Sequence, residues 1–317
     1  MTDGPLHQPH VTIALCTYNG GAHLQFQLES FLHQHHKNWS LWISDDGSTD
    51  ETLDTLQRFA QAHGEARDIR IVNGPRRGLA ANYLSLLRRY DLPSGLVALS
   101  DQDDIWLRGK LTRAVRRITM ECANRPESPI LYGAQSFHVD NELRVIGKSS
   151  TARACPDFCN ALVQNVVSGH SAVLNEAAVA LVRKARDPGC LPFHDWWLYQ
   201  LITAAGGTAV IDERPVLLYR QHPSATMGSH DGWRARLDRI RMVLGKTYGD
   251  WIAANLEELT RNADLLEPKA NELVSTMIQG TPSWGLGRAA MLRRLGLHRQ
   301  TRLGTGALML AGFLGRV

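Results

Sequence analysis

Three aspartates fall within four positions in Ser100-Asp101-Gln102-Asp103-Asp104-Ile105-Trp106, directly after the apolar run Leu96 to Leu99. Left alone, such a cluster repels itself and drives up its own pKa values, so a cation among the carboxylates is the economical way to keep it. Asp101 and Asp103, at alternate positions, can turn two oxygens toward one hard ion that keeps its other sites for water and phosphate oxygens. Mg²⁺ or Mn²⁺ suits that set. The same aspartates can also be read as nothing more than the cap of a helix starting near Leu107.

A second acidic pair, Asp45-Asp46, precedes Gly47 and Ser48. An acidic turn before a helix is ordinary N-terminal chemistry, but two carboxylates exceed what a cap needs. One can cap while the other accepts a hydrogen bond from a ligand, such as the N3–H of a pyrimidine. Tyr18 can stack on that base or simply pack. Asp195, in Phe193-His194-Asp195-Trp196-Trp197, opens a helix in apolar company, which raises a carboxylate toward the range of a general base. Taken alone it reads rather as an N-cap beside core tryptophans. Arg220, Gln221 and His222 end another apolar run; Arg220 is a candidate phosphate partner and His222 a candidate neutral metal ligand, unless both are plain surface groups.

These residues need elements to bring them together. From residue 11 to about 120, short apolar runs alternate with amphipathic stretches: VTIALC, Ala22 to His36, LWIS, Thr52 to Ala62, IRIV, Leu79 to Arg89, LVALS. That alternation predicts an α/β fold with a mostly parallel sheet and crossover helices. Ser48 and Glu51 form a capping-box pattern, so a helix is expected where the acidic pair ends. In a parallel sheet the strand ends share one edge, where open α/β folds bind ligands. Thr17, Tyr18 and Asn19 would stand there with Asp45, Asp46, Asp101, Asp103 and Asp104, five carboxylates facing one crevice. From about 130 to 222 the pattern is mixed, with ILYG and FHVD as strands, Asn175 to Ala185 and His194 to Ala204 as helices, and TAVIDE with VLLYRQH as a closing strand pair. Beyond about 226 it turns helical, with Trp233 to Val243 and Ile252 to Leu266 as candidates. The division expected is a tail over 1–10, a catalytic domain over 11–225 with halves 11–120 and 121–225, and a helical basic extension over 226–317.

With 317 residues and 44% apolar content, the chain can bury a core, and a globular protein rather than a disordered one is expected. A net charge of +4 suits a phosphate-bearing ligand or an anionic surface and is too weak to argue for nucleic acid. Five scattered cysteines, with no CxxC pair, read as thiols of a reducing compartment. No apolar h-region opens the chain and no run approaches a membrane span, so a cytoplasmic protein is expected, at most lying on the inner membrane. Neither GxxxxGK[ST] nor GxGxxG follows a predicted strand, so phosphate would be held through metal rather than a glycine cradle.

The ordered set TYNGG, DDGSTDET, RRGLAANY, SDQDDIW, SGHSAVLN and HDWW, spread from 11 to about 222, resembles the family 2 glycosyltransferases, inverting enzymes of the GT-A fold that use nucleotide sugars. SDQDDIW, HDWW and YRQH look most like the rhamnosyltransferase-type branch, whose usual donor is a dTDP-linked deoxysugar; UDP- and GDP-linked donors stay open. The resemblance implies Tyr18 and Asp46 at the base, Asp101 at the ribose and diphosphate, Asp103 on Mg²⁺ or Mn²⁺ with Asp104 beside it, Gly78 and Asn82 in the donor pocket, and Asp195 as catalytic base. It implies one displacement, in which Asp195 takes the proton of a glycan hydroxyl whose oxygen attacks the anomeric carbon. Where relatives often carry an asparagine shortly after the histidine, this chain runs Gln221-His222-Pro223-Ser224, which puts that loop's donor contact in doubt.

The rivals are a sugar-1-phosphate nucleotidyltransferase, which should carry a glycine-rich, arginine-containing loop after its first strand, and a non-catalytic nucleotide-sugar module, which would not need Asp195. CTYNGGAH has no arginine. The tail over 281–317 sets Arg288, Arg293, Arg294, Arg299, Arg302 and Arg316 among Trp284, Leu292, Leu295, Leu297 and ALMLAGFL, with no acid. It reads either as an interfacial anchor on an anionic membrane, each arginine adding about 1 kcal/mol and bringing the enzyme to a lipid-linked glycan, or as a helix packed on the domain or a second subunit.

Overall fold

The computed structural model describes residues 8–150, 154–189, 191–221, 245–280 and 282–317. Strands β1 (Val11–Thr17), β2 (Trp39–Asp45), β3 (Ile69–Asn73) and β4 (Leu96–Ser100) alternate with helices α1 (Gly21–Leu32), α2 (Thr52–His63) and α3 (Leu79–Leu87). They pair in parallel in the order β3-β2-β1-β4. Every residue of β1, β2 and β4 is buried, because helices cover both faces of the sheet. Side chains still alternate between two cores. Ile13, Leu15, Leu41, Ile43 and Ala98 meet α1, α2 and the later helix α4 (Lys110–Asn124), while Ala14, Cys16, Trp42, Val97 and Leu99 meet α3 and the helices of the second half.

Beyond β4 the sheet becomes mixed. β5 (Ile105–Trp106), β6 (Ile130–Val139), β7 (Val145–Lys148), β8 (Val173–Leu174) and β9 (Thr208–Arg220) extend it in the order β4-β8-β6-β9-β5, with β7 on β6. The expectation of a mostly parallel sheet therefore holds for the first four strands, and four of the five later pairings are antiparallel. ILYG and FHVD belong to one strand, β6, and TAVIDE with VLLYR to one strand, β9, rather than to separate strands. β9 runs parallel to β6 with a register shift that passes from Ala134↔Asp212 to Gln135↔Pro215. Pro215 lacks an N–H for the ladder, and a bulge is where a strand tolerates it.

Helices α5 (Phe158–Ala161), α6 (Glu176–Lys184) and α7 (His194–Ala204) follow, then α8 (Lys246–Arg261), α9 (Pro268–Gln279), α10 (Gly285–Arg294) and α11 (Arg302–Phe313). The helix expected over Ile252 to Leu266 ends at Arg261 and passes into a 3₁₀ turn, Ala263–Leu265. Trp233 to Val243 lies outside the described residues. Met277 of α9 and Met291, Leu292, Leu297 and Leu308 of the tail join the same core as Trp197 and Leu198 of α7.

Candidate active site

The parallel register sets Thr17 beside Asp45 and Leu15 beside Ser100, so the ends of β1, β2 and β4 share one edge. Asp45 is turned inward there. It accepts from Thr17 Oγ1 (2.8 Å), Gly47 N (3.1 Å), Ser48 N (2.8 Å) and Ser48 Oγ (2.6 Å). These bonds fold the acidic turn, with Gly47 at φ +97° where a side chain would be strained. The capping box does not form: Glu51 is the N-cap of α2 without a side-chain bond, Ser48 is committed to Asp45, and Asp50 accepts from Thr52 N instead (3.0 Å).

Asp46 faces the other way. Its Oδ1 accepts from Arg76 N (2.6 Å) and its Oδ2 from Gly78 N (2.7 Å), which draws the loop before α3 over the strand ends. A Cβ at Gly74 would lie 2.6 Å from Asn82 Oδ1 and 2.9 Å from Asp46 Oδ1, so only glycine fits below that loop. Asn82 ties α3 to β2, donating to Ser44 O (2.9 Å) and accepting from Ser44 Oγ (2.6 Å). Asn19 accepts from Thr49 N (2.8 Å) while its own N–H reaches Ser48 Oγ (2.9 Å). Tyr18 is 58% exposed, and its backbone is held at both N and O by the Gln102 amide (2.8 and 3.1 Å). Its ring is thus free to meet a ligand.

In the aspartate loop, Asp101 accepts from Tyr83 Oη (2.7 Å), and burial with the charge of Asp103 pushes it up to about 7. Asp104 is fully buried, and neither of its oxygens has a hydrogen-bond partner among the described residues. Burial, with Asp101 and Asp103 behind it, raises its pKa well above the usual range, against the pull of Lys110. Lys110 is fully buried too. Its Nζ donates to His170 O (2.5 Å) and sits 3.4 Å from the centre of the Trp106 ring; burial pushes its pKa well down, opposed by Asp104 and Asp101. His170 stacks on Tyr219 at 4.7 Å, and its buried Nε2 lacks a partner among the described residues. Burial holds its pKa near about 3, so the ring is neutral with a lone pair to give. One donor atom each from Asp101, Asp104 and His170 lie within 4.8 Å of one another. Two carboxylates with one imidazole fit a divalent cation, and of the three Asp104 and His170 Nε2 are buried without a partner among the described residues. The helix-cap reading of Asp103 and Asp104 fails: α4 begins at Lys110, its N-cap is Gly109, and no side chain caps it.

Asp195 lies in the first turn of α7. It accepts from Gly169 N (2.9 Å) and Trp196 N (2.7 Å) and is half-buried. The apolar company expected around it points elsewhere: Trp196 donates to Ala161 O (2.6 Å), Trp197 is in the core, and His194 stacks on Tyr83 at 4.1 Å. The carboxylate is therefore held by two backbone donors. Trp106, Trp196 and Trp197 are all buried and offer no face to a sugar ring.

A cavity of about 980 Å³ opens at this edge, lined by Thr17, Tyr18, Asn19, Asp46, Gly78, Asn82, Asp101 and Asp103 among others. That is ample for a nucleoside diphosphate sugar. Asp45 and Asp104 stand behind its wall, so three carboxylates face it rather than five. Asp195 is outside the lining, yet its charge contributes to raising both Asp101 and Tyr219. His222 lies outside the described residues. Arg220 is buried beside Phe26 and donates to Asn141 O (3.1 Å), while its Nε has no partner among the described residues. The structure adds Arg76, Gln102 and Tyr219 to the lining, and His170 and Lys110 behind it. RRGLAANY and SGHSAVLN contain Arg76 and His170, but only the fold brings them to the aspartates.

Residues 12–124 match the model of the glycosyl transferase family 2. The chain is 24% identical over 278 residues to the dTDP-rhamnosyl transferase RfbG of Shigella flexneri, covering 86% of this chain and 94% of that one. Among solved structures, a mannosyltransferase from Pyrobaculum calidifontis in complex with GDP-Man and Mn²⁺ superposes with a TM-score of 0.55 at 17% identity, over 98% of this chain and 87% of that one. Residues 1–349 of TarS from S. aureus, in complex with UDP-GlcNAc, give 0.53 at 13% identity, over 96% and 90%.

Proposed function

We propose, from the premise that this chain carries a family 2 glycosyltransferase domain over residues 12–124, that it transfers a sugar from a nucleoside diphosphate to a glycan hydroxyl with inversion, and that the sugar is a deoxysugar of the rhamnose type. The chain is a glycosyltransferase of GT-A architecture. The observation that carries the finer reading is the meeting of Asp46, Asp101 and Asp103 on one cavity, with Asp195 fixed by two backbone donors at the helix behind it. The dTDP-rhamnosyl relative, matched over nearly its whole length, favours the donor class. The product would enter cell-surface polysaccharide, and the catalytic unit would span 11–225 with 226–317 as its brace.

In this reading Tyr18 stacks on the base and Asp46 accepts its N3–H, so the nucleoside lies along the ends of β1 and β2. Asp101 and Asp103, with Asp104 and neutral His170 behind, would hold Mg²⁺ or Mn²⁺, which when bound offsets the charge growing on the diphosphate. Asp195 accepts the proton of the acceptor hydroxyl as that oxygen bonds to the anomeric carbon. The bond to the nucleoside diphosphate breaks on the opposite face, and its electrons leave with the phosphate oxygen. Gly169 N–H and Trp196 N–H keep the Asp195 carboxylate aimed through the step.

The deciding experiment pairs calorimetric donor binding with turnover. Asp195→Asn is expected to bind the nucleotide sugar as the parent does and to lose roughly 10²–10⁴-fold in kcat, the usual share of a general base. Asp103→Ala is expected to lose the Mn²⁺-dependent part of donor binding. Undiminished turnover by Asp195→Asn would sink the mechanism, and release of pyrophosphate in place of nucleoside diphosphate would move the chain to nucleotidyl transfer.

A further inference from the structure

The end of the chain is both packed and bare. Helices α10 and α11 run back on each other, burying Met291, Leu292, Leu308 and Ala311, and Gly312 sits so close that a Cβ there would come within 2.4 Å of Leu292 Cδ1. A Cβ at Gly315 would lie 3.1 Å from Trp284 Cβ, so the start of α10 and the finish of α11 lie at the same end of the pair. That end is apolar and uncovered: Trp284 is 70% exposed, Leu286 80%, and Leu310, Phe313 and Leu314 between 41 and 48%. A soluble surface seldom gathers large apolar side chains so closely without a use for them.

Charge marks the occupant. Residues 282–317 hold six arginines and no acid. Arg288 and Arg299 are spent inside, on Val317 O (2.9 Å) and Val163 O (3.1 Å), whereas Arg316 is exposed at the apolar end and Arg293, Arg294 and Arg302 are exposed at the far end, where Leu303 is 90% exposed as well. No helix among the described residues is long and apolar enough to cross a membrane. We infer that the paired helices α10 and α11 lie along the surface of an anionic lipid bilayer, with Trp284, Leu286 and Phe313 entering the interface at one end, Leu303 at the other, and the exposed arginines meeting the headgroups.

The pair is fastened to the body at α5 and the turn after it, and α5 also fastens α7. Asn160 Nδ2 donates to His298 O (3.0 Å) and Gln300 N to Gln164 Oε1 (2.8 Å), while Tyr199 Oη of α7 donates to Asn160 Oδ1 (3.0 Å). A docked tail would therefore fix the bearing of Asp195 to the bilayer. The inference goes beyond sugar transfer and needs neither donor nor acceptor, so it can fail while that reading stands.

The test is flotation of the full chain with phosphatidylcholine vesicles, with and without phosphatidylglycerol, in the absence of nucleotide. Binding is expected to the anionic vesicles only and to weaken with salt. Arg293→Gln with Arg294→Gln should lower the partition coefficient roughly fivefold per charge removed. Trp284→Ser with Phe313→Ser should abolish binding while turnover on a water-soluble acceptor stays at the parent level. Leu286→Gln alone, at an open site, gives the same readout should the double variant fail to fold. Absence of binding to phosphatidylglycerol vesicles, or binding that survives both the arginine and the apolar changes, overturns the inference. So does a parent dimer in light scattering that Leu286→Gln turns into monomers, because the face would then belong to a second copy.

Discussion

Asp104 and Lys110 show how a charge can be placed where solvation disfavours it. Both are fully buried, and each draws the other toward the ionised form that burial opposes. No ion pair joins them among the described residues, so the coupling acts through space, while the Lys110 ammonium is bonded to His170 O. Lys110→Met, which leaves that carbonyl without its donor, is expected to lose about 1–3 kcal/mol in urea unfolding, and Lys110→Met with Asp104→Leu to recover the electrostatic part of it. Equal loss in the single and double variants would show that the two charges are not coupled. Asp101 supplies a pH dependence. In the folded chain it titrates at about 7, against about 3.9 when unfolded, so between those values the folded state holds the extra proton. Stability of the metal-free protein should therefore fall as pH rises from about 4 to 7, a slope that Asp101→Asn flattens; thermal melts over that range measure it.

At the scale of elements, single polar side chains decide where helices meet strands. Asn175 caps α6 by accepting from Ala178 N (2.9 Å), accepts from Ile130 N at the start of β6 (2.8 Å), and donates to Ser128 O (2.8 Å). Asn175→Ala would orphan two buried donors, and a loss of about 2–3 kcal/mol is expected in denaturant unfolding. A loss within experimental error would mean that water replaces the amide. The acidic turn after β2 teaches the opposite lesson. Ser48 and Glu51 have the spacing of a capping box, yet Asp45 outcompetes the helix for Ser48 because strand register places Thr17 and the turn amides around it. Local pattern lost to a tertiary contact there, as it did in β9, where Glu213-Arg214-Pro215 looks like a break and is a bulge within one strand.

Across the whole molecule, one core joins the sheet, α7 and the tail, with Leu292 fully buried between α10 and α11. Leu292→Ala is expected to cost about 2–5 kcal/mol and to lower a single cooperative melt rather than release the tail separately. Two transitions in calorimetry would instead make the tail an independent unit. The sequence by itself determined the four parallel strands and their helices, because buried strands are written as short apolar runs and each run ends in residues a core cannot hold. It also marked Tyr18, Asp46, Asp101, Asp103 and Asp195, whose types and places at strand or helix ends were legible without coordinates. Which carboxylates face the cavity was decided only by the tertiary structure. Asp45 and Asp46 are neighbours in sequence, and only the loop between β3 and α3, which carries Arg76 and Gly78, settles which of them stays open. His170 and Lys110 are 60 residues apart and come together across the sheet. Periodicity records which side of an element is buried, whereas a site depends on which elements become neighbours, and that is fixed by packing over the whole chain.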